Sequence, residues 1–173
     1  MKNRDLRYQA AKRWFERGGA ERDPFDVFFY LWIALIIAAR YGAQREPEDA
    51  DLVTIKEYFT LNRDRVLLAL KEDDTVVERL RKRRGTDGGK VVETWGRGGQ
   101  RMCRRQEFDK FACTYDELTD LEKLHTIAEI LNQVRNNLFH GRKLYDDKQD
   151  RELLELVNPL MKSILRNIEE FDD

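Results

Sequence analysis

Arg135, Asn136 and His140 are the residues of this chain whose types and spacing suit them for chemistry together, within the run Arg135-Asn136-Asn137-Leu138-Phe139-His140-Gly141. Leu121, Leu124, Ala128, Leu131 and Leu138 recur at helical spacing, and Arg135 falls four residues after Leu131, on the same inward face. An unpaired guanidinium there would cost several kcal/mol, so it needs either a carboxylate such as Glu129 or Glu152 across the bundle, or an opening. On an unbroken helix His140 would lie about 140° round from Arg135 and share no target with it. Asn136 and Asn137 are weak helix formers, however, and Gly141 is a ready left-handed cap, so the spacing predicts a helix end near Phe139 that turns the imidazole back. There the negative end of the helix dipole favours the protonated ring.

An arginine, an amide and a titratable histidine in one partly open site suit cleavage of an RNA backbone by its own 2′-hydroxyl. A base must take the hydroxyl proton, an acid must protonate the leaving oxygen, and a cation must meet the extra charge of the phosphorane. His140 suits the first two tasks and Arg135 the third, with Asn136 to orient the phosphate or the imidazole. Arg142 and Lys143, just beyond, add phosphate-attracting charge. This chemistry requires no cofactor and no metal. The sequence contains no phosphate-binding glycine loop, no HExxH and no paired Cys/His ligand set.

The run resembles the R-x4-6-H motif of the HEPN superfamily (higher eukaryotes and prokaryotes nucleotide-binding), in which a polar residue usually follows the arginine, as Asn136 does here. The resemblance implies an HEPN-like helical bundle, a homodimer whose two motifs share one composite cleft, and a metal-independent endoribonuclease of toxin-antitoxin or antiviral defence type. It also implies an antitoxin or regulatory partner. Family members paired with nucleotidyltransferase antitoxins carry a tyrosine two residues after the histidine; here that position is Arg142 and the nearest tyrosine is Tyr145.

Helices must position these residues, and helical signals dominate. Asp23 before Pro24 marks a start and Gly42 an end, framing a helix over about 24–41. Its apolar run, 27–39, is thirteen residues against the ~20 a bilayer needs, and predicts a core helix buried on most faces. Leu6, Ala10, Ala11, Trp14 and Phe15 predict an earlier helix stopped by Gly18 and Gly19. One or two helices are expected between about 50 and 71, and Thr75 with Glu78 reads as a capping box opening a short basic helix that runs into Arg84. Thr119 with Glu122 caps the long motif helix, and a last amphipathic helix spans about 147–170, with Pro159 predicting a kink or break. The expected fold is all-α, one domain over 1–173.

Charged residues are 38% of the 173, yet 32 basic against 33 acidic side chains leave a net charge of −1, so no global field announces a nucleic-acid binder. The distribution differs from the total. From Arg79 to Arg105 ten basic residues face only Asp87 and Glu93, a local +8 that leaves −9 for the rest. Six of the ten glycines lie between 85 and 100, so 84–105 reads as a basic Gly-rich loop insertion. That loop either tracks RNA through Arg101, Arg104 and Arg105, with Trp95 stacking on a base, or is a solvated insertion. Cys103 and Cys113 read as ordinary reduced thiols, His125 as a bundle histidine, and the charged N-terminus predicts a cytoplasmic protein with no membrane partner. Two other readings remain open: an HEPN-like domain that binds RNA or protein without cutting, and a helical adaptor or scaffold in which Arg135 pairs structurally.

Overall fold

A computed structural model describes residues 2–86, 115–139 and 148–171, and among these every regular element is helical. In chain order they are α1 (Lys2–Ala20), α2 (Pro24–Gly42), α3 (Asp51–Leu61), α4 (Arg63–Glu72), α5 (Asp74–Thr86), a 3₁₀ turn (Tyr115–Glu117), α6 (Asp120–Phe139) and α7 (Lys148–Glu169). The expected all-α class is the one observed. His140, Gly141, Arg142, Lys143, Tyr145, Trp95, Arg101, Cys103, Arg104, Arg105, Cys113 and most of the 84–105 insertion lie outside the described residues.

Two helices organise the core. α2 packs against α1, α3 and α7, and α7 packs in turn against α4 and α5, while α6 lies on α3 and α4. Asp23 caps α2 by accepting a hydrogen bond from the Phe25 amide at 2.9 Å, with Pro24 in the first turn, a cap worth about 1 kcal/mol. α2 is long and apolar enough by composition to cross a membrane, and here it is a core helix. It buries one broad face through Phe28, Leu31, Trp32, Leu35, Ala38 and Ala39 rather than most faces; 39% of its most apolar 18-residue window is buried.

α7 closes the bundle with a stripe from Leu153 through Leu160 to Ile168. Two polar ties fix its N-terminal half to the start of α2: Asn158 Nδ2 donates to the Pro24 carbonyl at 2.8 Å, and Arg151 pairs with Asp23 at 3.0 Å. At its far end the Arg65 guanidinium donates to the Ile168 carbonyl at 2.6 Å and pairs with Glu170 at 2.8 Å. Phe171 is then buried against Tyr8 and Phe15 of α1.

Packing adds to what the glycines, caps and proline implied about the helix ends. α1 ends at Ala20, one residue past the Gly18-Gly19 pair expected to stop it; a Cβ on Gly18 would lie 3.2 Å from Leu31 Cγ, so this glycine also permits close approach of α1 to α2. Gly42 is the last residue of α2, the end expected from the sequence, and a Cβ there would meet the Tyr58 ring at 2.6 Å. The left-handed cap falls to Gln44 instead, at φ 54°, with the Arg45 amide donating back to the Arg40 carbonyl at 2.9 Å. α5 begins at Asp74, so Thr75 lies within the helix and Asp73 takes the start position, its carbonyl accepting from the Val77 amide at 3.0 Å. α7 continues across Pro159. Pro159 and Glu155 both face solvent, so water can serve the Glu155 carbonyl that the ring leaves without a donor.

Candidate functional site

α6 carries Arg135 in its last turns and is set from its other end. The Thr119 amide donates to Glu122 Oε2 at 3.0 Å and the Glu122 amide donates to Thr119 Oγ1 at 3.3 Å, the reciprocal box expected from the sequence. Leu124, Ile127, Ala128, Leu131 and Val134 then fill the face against α3 and α4. This registers Arg135 at the rim of the core, next to the N-terminus of α3 and the side of α2, with its side chain 32% exposed.

The guanidinium is held on several sides. Nη2 lies 3.2 Å from Asp51 Oδ2, and Nη1 donates to Asn136 Oδ1 at 2.9 Å. Its carbon sits 5.8 Å from the Trp32 ring centroid and 5.4 Å from that of Phe139. The carboxylate that meets Arg135 is therefore Asp51 and not Glu129 or Glu152; Glu129 pairs with Lys56, and Glu152 lies 4.0 Å from Lys148. Asn136 is committed through its carbonyl to orienting Arg135.

Asp51 is shared. Its Oδ1 accepts from Arg40 Nη2 at 2.9 Å while Oδ2 serves Arg135, so two cations flank one anion and the trio carries a net +1. Position favours the carboxylate as well, since Asp51 lies in the first turn of α3, where the helix dipole is positive. The Nε atoms of Arg40 and Arg135 are shielded from solvent with no hydrogen-bond partner. Arg40 also borders a cleft of about 810 Å³ between α1 and the end of α2, lined with it by Arg7, Ile37, Tyr41 and Arg45. Asp51 and Arg40 carry no motif that singles them out; the one sequence signal was an acid opening a helix.

His125 lies on α6 with its Nε2 3.2 Å from Thr60 Oγ1 of α3. Partial burial lowers its pKa, the nearby Lys56 lowers it further, and Glu129 opposes them. It is a contact in the helix interface, ten residues before Arg135. Among the described residues no group of three His, Cys, Asp or Glu side chains is close enough to hold a metal ion.

Chemically, the rim of α6 offers a fixed guanidinium with a surplus positive charge and a partly exposed face beside aromatic rings. Such a group can bind an anionic oxygen without rearranging, because Asp51 and Asn136 already fix its plane. Comparison of the chain with protein-family models, with curated proteins and with solved structures gives no match.

Proposed function

We propose that this chain is a metal-independent endoribonuclease of the HEPN type, a cytoplasmic toxin or defence effector that forms one domain over 1–173. The observation that carries the reading is Arg135: a cation at the core rim, oriented by Asp51 and Asn136, 32% exposed, and five residues before His140. In the reaction the 2′-oxygen bonds to phosphorus as the bond from phosphorus to the 5′-oxygen breaks. His140 takes the 2′-hydroxyl proton and a second acid, the His140 of another copy in a composite cleft, returns one to the 5′-oxygen. Arg135 meets the phosphorane charge. Arg142, Lys143, Arg101, Arg104 and Arg105 supply the phosphate-attracting charge around it.

The test is incubation of the purified protein with total RNA in EDTA, beside Arg135→Ala and His140→Ala. Cleavage should leave 2′,3′-cyclic phosphate ends and fall by roughly 10² or more in either variant. Cleavage that needs Mg²⁺ refutes the mechanism, and no cleavage by the wild type moves the chain to an HEPN-like domain that binds without cutting. A second reading, a helical adaptor, is favoured by one observation, the Arg135 to Asp51 pair, which is a structural use for the arginine. On that reading Arg135→Ala lowers stability and no RNA is cut.

A further inference from the structure

Arg135 is one end of a continuous line of aromatic rings and guanidinium groups across α1, α2 and α6. The Phe139 ring, 5.4 Å from Arg135, lies 5.6 Å from Phe29, and Phe29 lies 5.5 Å from Tyr30. Tyr30 stacks on Trp14 at 5.6 Å with planes 25° apart. The Arg17 guanidinium closes the line, 5.1 Å from Tyr30 and 6.0 Å from Trp14. Phe29 is 39% exposed and Phe139 48%, although rings of this size normally dominate cores. Arg17 is exposed and makes no ion pair among the described residues, and its guanidinium carbon lies over the Tyr30 ring.

A run of rings on which bases can stack, with a cation at each end that can pair with phosphate, is the kind of surface that single-stranded nucleic acid uses irrespective of sequence. Duplex RNA fits poorly because its bases are already stacked and paired. We propose that this ribbon is a track for single-stranded RNA, in which Phe29 and Phe139 receive an unpaired base beside Arg135 and Arg17 holds a phosphate further along. The choice of RNA over DNA and the direction toward Arg135 rest on the ribonuclease reading; the binding of a single strand does not. The track also specifies the substrate class, an unpaired segment of RNA with no fixed base identity.

The experiment is fluorescence anisotropy with a labelled 2′-O-methyl oligouridine octamer, which lacks the hydroxyl nucleophile and reports binding without cleavage. Phe29→Ala should weaken binding by about 5- to 100-fold, the range of one lost base stack, and Arg17→Gln should flatten the salt dependence by about one ion. A duplex of the same backbone should bind at least about tenfold more weakly. Both substituted side chains are exposed, and unchanged circular dichroism confirms the fold. Unchanged affinity in Phe29→Ala overturns the track, even if the wild type cuts RNA. If Phe29→Ala instead halves the mass in light scattering and leaves affinity intact, the patch is an interface between copies and the proposal falls. Full binding dependence on Phe29 in a protein that cuts nothing upholds the track and removes the ribonuclease reading.

Discussion

Replacing Asp51 by Asn tests the logic of a carboxylate shared by two arginines. Fully exposed ion pairs contribute about 0.2 to 1 kcal/mol, whereas breaking a buried one by removing a partner costs about 3 to 5 kcal/mol. Asp51, Arg40 and Arg135 are 19%, 25% and 32% exposed, between these limits. Removing the anion strands two cations, with one shielded Nε on each already without a partner. Asp51→Asn should therefore cost about 2 to 3 kcal/mol. Arg135→Gln removes the more exposed cation and leaves Asp51 paired with Arg40, so it should cost about 1 kcal/mol or less. At about 2 to 4 °C per kcal/mol for a chain of this size, thermal unfolding followed at 222 nm should separate the two by several degrees. The double variant should fall short of the sum of the singles by about 1 kcal/mol, because Asp51→Asn has already removed the partner that Arg135→Gln would lose. An Arg135→Gln cost equal to or above that of Asp51→Asn would refute the shared-anion account.

Three further outcomes follow from packing and titration. Gly42→Ala should destabilise by about 1 to 3 kcal/mol, because its Cβ meets a Tyr58 ring that is itself buried, whereas Gln44→Gly should stabilise by up to about 1 kcal/mol by relieving the positive φ; denaturant midpoints read both. Tyr58 donates its hydroxyl to Glu169, and burial first, then the Glu169 charge, pushes its pKa far up. The unfolded chain therefore releases this proton near pH 10 while the folded one retains it, and stability falls as pH rises above about 10. Tyr58→Phe should remove most of that dependence. Comparing the two proteins cancels the opposite contribution of Lys162, whose amine burial pushes down. Equal alkaline slopes in the two proteins would contradict the assignment.

What was legible in the sequence is what short-range chemistry determines. Asp23 with Pro24 and Thr119 with Glu122 act within one turn, so the starts of α2 and α6 could be read directly. The apolar period of the last segment likewise located α7. The partner of Arg135 was not legible, because Asp51 lies on another helix and its approach depends on how α3 packs against α6. Glu129 was the nearer candidate along the chain, but Lys56 of α3 takes it. Gly18 with Gly19, and Gly42, located the ends of α1 and α2 to within a residue, but the close approaches these glycines allow, to Leu31 and Tyr58, depend on tertiary packing and could not be read. Pro159 predicted a kink or a break, and of the two the break is absent, since α7 runs on to Glu169.

The docking of α7 onto α2 also governs the order of events during synthesis. α2 emerges early, and its apolar face, with Phe28, Leu31 and Leu35, waits for partners encoded much later. From Gly42 to Phe171 the ribosome adds 129 residues, which at about 5 to 20 residues per second takes about 6 to 26 s. Through that interval α1 and then α3 can shield parts of the face, but the hydrogen bond from Asn158 to the Pro24 carbonyl and the seat of Phe171 on Tyr8 and Phe15 cannot form. A nascent chain stalled before residue 148 should therefore recruit a holdase through α2, and release it once α7 has cleared the exit tunnel.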